Sequence, residues 1–366
     1  MEDKALPAGI SAIHTACKEL YPEQTDPVQV AAVLKYWLGG PDPLDYISIY
    51  RNTGSPSPHW HYVSYGLSNL YGDKRSYTEI EGLSGFGFEL TFRLCCDEEA
   101  PPSWPAELLQ SIARYVTSSE SVLCVGDHIS WHSALDGGEG RLEHLLLCED
   151  PQLHPLTTDH GQLTFIQCVG VDKEELQSAQ WWNCLGVLSL MAQHTVTGGP
   201  LLVTDMRRGE SLFTVDPPAK GVVDAGVSSQ GSLLSGVNAL VSWNAPPMTS
   251  DPQLPRPMEE VKVQLSREAL LLIPVVIRGR LKHGRHFTFK SMTGDVCAVT
   301  LVVGGVEGAL CSEASPIVAH GLWLQVFLTS RELESLENGV RGLLEARVDE
   351  FEMSEVHVQW TILQEP

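Results

Sequence analysis

Two stretches, HWHYVSYGL at residues 59–67 and GFGFELTFRL at residues 85–94, decide the fold class. Both alternate aromatic or branched residues with others, as does YISIY at 46–50, and Gly, Pro and Asn cluster between them. That is the period of sheet strands. Outward from them the period changes. Ile10, Ile13, Cys17 and Leu20 make one apolar stripe of a helix over 9–20. TDPVQVAAVLKYWLGG predicts a second helix, capped by Asp26, with Pro27 at the tolerated first position and Gly39 and Gly40 ending it. Pro105 opens a third through about Ser118, with Leu108, Leu109, Ile112 and Val116 facing a core. SVLCVGDHISW (121–131) reads as another strand, and Lys173 to about Met191 as a helix interrupted near Gly186. This mixture predicts an α+β domain ending near residue 230, in the Gly- and Ser-rich KGVVDAGVSSQGS.

The second half repeats the mixture. VNALVSW (237–243), VKVQL (261–265), LLLIPVVI (270–277), RHFTFK (285–290) and AVTLVV (298–303) read as strands, and RELESLENGVRGLLEA (331–346) as a helix. APPMTSDPQLPRP (245–257) carries five prolines and supplies neither a central strand nor a helix. The expectation is an α+β chain of two mixed α/β lobes, 1–230 and 231–366, with a Pro-rich loop at 245–257. Residues 331–366 are expected to end it in a helix and an acidic tail bearing Asp349, Glu350, Glu352 and Glu355.

The 366 residues carry 24 Lys+Arg against 46 Asp+Glu, a formal net charge of -22. Such a surplus repels phosphate backbones and anionic lipid, so direct nucleic-acid and membrane-surface binding are disfavoured. No apolar run approaches the roughly 18 residues of a membrane span, and MEDKALPAG lacks a signal-peptide layout, which predicts a soluble intracellular protein. The nine cysteines are scattered without a Cys-x-x-Cys and read as reduced.

Local chemistry is sparse. His59, His61, Asp127 and His132 carry metal-ligand atoms, but no recognised ligand spacing joins them, and aromatic-flanked strand histidines are commonly structural. The metal-dependent hydrolase they would make stays a lesser alternative. GFGFE (85–89) lies within strand alternation, where its glycines permit a bulge or close backbone approach. RGRLKHGRHFTFK (278–290) is either a site for an acidic segment or a solvated hairpin, and DMRRGE (205–210) a turn with local ion pairs. In SVLCVGDHISW, alternation places Leu123, Val125, Asp127, Ile129 and Trp131 on one face, so a carboxylate interrupts an apolar row. Either an internal donor satisfies Asp127, or the face is a groove and a partner supplies the donor.

YPEQTDPVQVAAVLKYWLGGPDPLDYISIYRN (21–52), PHWHYVSYGLSNLYGD (58–73), SGFGFELTFRL (84–94), PPSWPAELLQSIARYV (101–116), GDHISWHS (126–133), GGPLLVTDMRRGE (198–210) and LKHGRHFTFKSMTGD (281–295) closely resemble the Suppressor of fused family. The blocks run in family order over nearly the whole chain. The resemblance implies a non-enzymatic negative regulator of Hedgehog signalling, in cytoplasm and nucleus, that needs no cofactor or metal. It would bind Gli/Ci zinc-finger transcription factors, alongside other Hedgehog-pathway proteins, by clamping a Ser-Tyr-Gly-His-Leu strand in a cleft between two lobes. Carried over, the partner-binding residues are Tyr115, Leu123 and Asp127 in the first lobe and Val237, Ala239, Glu268 and Leu272 in the second. Asp127 would accept a hydrogen bond from the partner's histidine. The chain departs from the family in three places. Leu123 replaces a phenylalanine typical of vertebrate members, the long phosphorylatable insert is reduced to the Pro-rich stretch, and residues 331–366 match poorly. A diverged adaptor with another peptide partner is therefore the nearer alternative.

Overall fold

The computed structural model describes residues 6–54, 58–72, 81–244, 254–292 and 297–363. The chain divides into two compact units. The first runs to Ala179 and resumes over Asn183–Gly221, and the second takes Gln180–Trp182 and everything from Val222.

The first unit is built on one eight-stranded sheet. Its strands are β1 (Val28–Ala31), β2 (Tyr46–Asn52), β3 (His59–Tyr65), β4 (Leu83–Cys95), β5 (His128–Ser130), β6 (His144–Glu149), β7 (Leu156–Thr158) and β8 (Gly161–Val171). They are ordered β1-β2-β3-β4-β8-β6-β5, with β7 on β8. The central strands β3, β4, β6 and β8 are buried on both faces. Helix α1 (Ala8–Leu20) contributes Ile10, Ile13 and Cys17 to a core with Tyr50, Val63, Tyr65 and Phe165. Helix α2 (Trp104–Ser119) contributes Leu108, Leu109, Ile112 and Val116 to another with Ile47, Ile49, Phe92 and Leu147. Gly85 and Gly87 both have positive φ, and the β4–β8 register shifts between Leu83 and Phe88, the bulge that GFGFE predicts. A Cβ on Gly85 would lie 2.6 Å from the Leu67 carbonyl oxygen.

Two expectations fail in this unit, and a third holds with its break a few residues earlier. Residues 26–39 form no helix. Valines 28 and 30 are β-branched and pair with Ile49 and Ile47 of β2, and only Tyr36–Leu38 makes a single 3-10 turn. In SVLCVGDHISW only His128–Ser130 is strand, because the chain turns at Val125 and Gly126, where φ is 97°. The 173–191 helix breaks at Trp182 and Asn183, ahead of Gly186, giving α3 (Lys173–Trp181) and α4 (Cys184–Met191). Asn183 caps α4 by accepting the Gly186 N–H. After α5 (Leu212–Val215), KGVVDAGVSSQGS, the Gly- and Ser-rich stretch in which the first domain is expected to end, is most of α6 (Pro218–Gln230). Val223 and Val227 are buried at helical spacing, and Gly226 packs against Trp182, whose indole a Cβ would meet at 2.3 Å.

The second unit holds two sheets. Its strands are β9 (Gly236–Ala239), β10 (Val241–Trp243), β11 (Arg256–Pro257), β12 (Val261–Leu265), β13 (Phe287–Ser291), β14 (Ala298–Val302), β15 (Ile317–His320), β16 (Trp323–Phe327), β17 (Glu350–Met353) and β18 (Val358–Ile362). The orders are β11-β15-β16-β14-β13-β9 and β10-β12-β18-β17. Helices α7 (Arg267–Gly279) and α8 (Ser330–Leu344) complete the unit's largest core with Leu270, Ile273, Leu336 and Val340. LLLIPVVI, expected as a strand, is the body of α7. Ser266 caps it by accepting the Ala269 N–H, and Ala269, Leu270, Ile273, Val276 and Ile277 are its buried face. Of the Pro-rich stretch, residues 245–253 lie outside the described residues, and Arg256–Pro257 form an edge strand on β15, where proline is tolerated. The acidic tail is not a tail: Glu350 and Glu352 lie in β17, paired with β18.

Candidate functional site

β5 ends the first unit's sheet. Its register with β6 matches His128 to Leu146 and Ser130 to His144, and the Asp127 carbonyl accepts the Leu147 N–H. Backbone groups alternate in direction along a strand, so His128 and Ser130 turn their N–H and C=O groups outward. Beside this edge a cavity of about 570 Å³ is lined by Ile112, Tyr115, Leu123, Asp127, Ile129 and Trp131, among others. Tyr115, Leu123 and Asp127 therefore line one cavity. Tyr115 is 57% exposed on α2, whereas Leu123 is buried and packs into the core beneath.

Asp127 does not interrupt a strand face. It follows the Val125–Gly126 turn, half-buried, and its Oδ2 accepts the Cys124 N–H at 2.8 Å while its own N–H donates to the Cys124 carbonyl. The internal donor and the groove therefore coexist. One carboxylate oxygen holds the turn, and among the described residues no hydrogen bond reaches Oδ1. A carboxylate has lone pairs for both tasks. The aromatic and aliphatic wall from Ile129 and Trp131 was visible in the sequence only as members of the Leu123 row.

The second unit offers a comparable edge. β9 ends the six-stranded sheet, pairing in parallel with β13 through Val237↔Phe289 and Ala239↔Ser291. The Ser235 and Ala239 carbonyls accept from Thr288 and Met292, so Gly236 and Asn238 direct their main-chain groups to the open side. Ala239 is part of the unit's core, and Val237 and Leu272 pack against it. Glu268 is exposed one turn before Leu272 on α7, which settles their four-residue spacing as helical.

The lesser candidates dissolve into structure. His59 and His61 are buried in β3. His61 Nε2 lies 3.2 Å from Asp150 Oδ2, and its Nδ1 lies 2.9 Å from the Tyr21 hydroxyl. That pattern suits a neutral ring donating to Asp150 and accepting from Tyr21. Burial, assisted by Arg93, pushes the His61 pKa down to about 4, against the pull of Asp150. Arg93 clamps Asp150 with two bonds of 2.6 and 2.8 Å. Burial works to raise the Asp150 pKa, but His61 and Arg93 hold it well below the usual carboxylate range. Among the described residues no group of three or more His, Cys, Asp or Glu is placed to hold a metal, so His59, His61, Asp127 and His132 do not converge. RGRLKHGRHFTFK is no hairpin. It runs from the end of α7 through a short 3-10 turn into β13, with Arg278 on Asp224 and both Arg280 and Arg285 donating to the Ser232 carbonyl. In DMRRGE, Arg208 forms a buried pair with Glu175 and Arg207 pairs with Asp205 and Asp97.

The model of the Suppressor of fused protein family matches residues 40–209, and that of the Suppressor of Fused Gli/Ci N terminal binding domain matches residues 244–361. The match therefore extends well into the C-terminal segment expected to match poorly. The Suppressor of fused homologs of Homo sapiens and Mus musculus are each 44% identical over 419 residues, covering 92% of this chain and 86% of theirs. The crystal structure of Drosophila Suppressor of Fused matches with a TM-score of 0.85 at 32% identity, covering 99% of this chain and 98% of that one. The Sufu-Fu complex crystal structure matches at a TM-score of 0.57 and 45% identity, covering 59% of this chain and 96% of that one. No described helix is long and apolar enough to cross a membrane.

Proposed function

The chain belongs to the Suppressor of fused family of Hedgehog-pathway regulators, and from that premise we propose that it sequesters Gli/Ci zinc-finger transcription factors by β-augmentation. A Ser-Tyr-Gly-His-Leu segment of the partner adds as a strand to the open edges of β5 and β9. The observation that carries this reading is that each unit has a sheet edge with outward main-chain groups, at His128 and Ser130 and at Gly236 and Asn238, beside the residues carried over from the family. Main-chain hydrogen bonds then supply affinity and the flanking side chains supply selectivity. Tyr115, Leu123 and Asp127 receive the segment on one side, with Asp127 Oδ1 as the acceptor for its histidine. Val237, Ala239, Glu268 and Leu272 receive it on the other.

The role is regulatory and non-catalytic, exercised in cytoplasm and nucleus. The net charge of -22 complements a basic zinc-finger region and assists encounter with it. The test is calorimetric titration of a Ser-Tyr-Gly-His-Leu peptide into the wild type and Asp127→Ala, with amide exchange read at His128, Ser130, Gly236 and Asn238. Binding with protection of those amides, weakened in the variant, supports the reading. Absence of binding would instead make the chain a diverged adaptor for another peptide.

A further inference from the structure

The first unit's sheet has a second open edge, at the opposite end from β5. We propose that β1 is a separate strand-acceptor site, whose occupant is an extended segment of another protein with alternating apolar residues and a Lys or Arg at its flank. Three observations carry this. First, β1 is the terminal strand, and nothing among the described residues pairs with its outer edge. The Ala32 N–H donates inward to the Asp45 carbonyl, so Ala31 and Gln29, one and three positions earlier, turn their N–H and C=O groups outward.

Second, the edge is apolar and, though only four residues long, carries no lysine, proline or bulge. Val28 and Val30 pair with Ile49 and Ile47, which are buried in the core under α2, so the core's own apolar row continues onto β1 and into solvent. The two valines are 49% and 42% exposed, and Val33, Leu34 and Leu38 extend the exposed surface. Natural edges are blunted by short length, lysines, prolines or bulges, and bare apolar ones invite pairing. Nearby Lys35 is held by Asp45. The β5 edge, by contrast, is His-Ile-Ser.

Third, the surrounding charge selects the occupant. Residues 21–52 contain Glu23, Asp26, Asp42 and Asp45 against Lys35 and Arg51, and Arg51 lies over the Trp60 ring. Asp45 and Asp42 are paired with Lys35 and Arg114. Glu23 and Asp26 are exposed at the entry to β1 and make no ion pair among the described residues. Two open carboxylates at one end of an apolar edge favour a cationic flank on the incoming strand. A second copy of this chain would bring another net charge of -22 to the same place, which disfavours self-pairing.

The probe is an acetylated and amidated Lys-Val-Thr-Val-Thr-Val-Lys peptide titrated into the full chain, with Glu-Val-Thr-Val-Thr-Val-Glu as the charge control. Binding is read by anisotropy and by amide exchange. The expected result is saturable binding below about 1 mM, protection of Gln29 and Ala31, and at least about fivefold weaker binding of the acidic peptide. Ala31→Pro removes an outward N–H that β2 does not use, and Val30→Glu puts a charge on the apolar row. Each lowers affinity about tenfold or more while the thermal unfolding curve shows a folded protein. Asp127→Ala leaves this binding unchanged, which separates the site from the β5 edge. No binding to about 1 mM, protection elsewhere, or equal binding by Ala31→Pro and Val30→Glu overturns the proposal. So does a dimer in sedimentation that Val30→Glu dissolves, since the occupant is then a second copy.

Discussion

Replacing Asp127 by asparagine separates the two tasks of its carboxylate. In the free protein Oδ2 accepts the Cys124 N–H at 2.8 Å, and an amide oxygen serves that turn equally well. Asp127→Asn therefore keeps the loop and unfolds with the wild type. Asp127→Ala loses the turn bond as well, and falls about 0.5 to 1.5 kcal/mol in stability. In the proposed complex the asparagine presents an NH2 donor where Oδ1 stood, so the ionised acceptor of the histidine's hydrogen bond is lost. A hydrogen bond to an ionised group contributes about 1.5 to 3 kcal/mol, so Asp127→Asn weakens Ser-Tyr-Gly-His-Leu binding by about 10- to 150-fold. The sign of the pH dependence follows from the same contact. A carboxylate beside the peptide histidine raises that histidine's pKa above its ordinary value of about 6.5, so protons are taken up on binding. Wild-type affinity is then about tenfold higher at pH 6 than at pH 8, while the asparagine variant is nearly flat. Calorimetry at the two pH values in buffers of different ionisation enthalpy reads both affinity and proton uptake. Equal affinity of wild type and Asp127→Asn, or an undiminished pH dependence in the variant, refutes the role given to Asp127.

Further outcomes follow from the buried polar groups and the charge. His61 has its folded pKa lowered from 6.5 to about 4, so its contribution to stability is complete above pH 6.5 and is lost as pH falls towards 4. The loss amounts to about 3 kcal/mol and is flattened in His61→Gln, as urea midpoints across that window will read. Arg93→Leu strands Asp150 in the sheet and costs about 3 to 5 kcal/mol in the same assay. Stopped-flow association with a partner that includes the basic zinc-finger region slows as salt rises, and a salt-independent rate removes electrostatic steering from the account.

The central strands of the first unit were legible because each meets the simplest condition for a strand: both faces buried and aromatic or branched residues at every turn of the pleat. The errors arose where punctuation and pattern disagreed. Asp26-Pro27 and Gly39-Gly40 punctuate a helix, but the valines between them find β2, and pairing decided the outcome. LLLIPVVI looks like a buried strand until Ser266 is recognised as a cap and the Leu270, Ile273, Ile277 spacing is followed through Pro274. Gly226 reads as part of a Gly- and Ser-rich domain end, though its missing side chain is what lets Trp182 pack. At the site, the grouping of Tyr115, Leu123 and Asp127 came from family likeness. Alternation alone misplaced Asp127, because Gly126 turns the chain just before it. The open edges were not legible at all, since which strands lie outermost is set by long-range pairing.

The Arg93–Asp150–His61 cluster has a consequence for how the chain finds its pairing. His61 and Arg93 are directly opposed across β3 and β4, Gln167 of β8 contacts Arg93, and Asp150 follows β6. Aliphatic strands buried on both faces tolerate sliding, since a slipped row is still apolar. Here a slip of one residue in any of these strands would leave a guanidinium or carboxylate unmatched inside the sheet. The cluster thus works as a proofreading device, letting only one alignment of the central strands survive collapse.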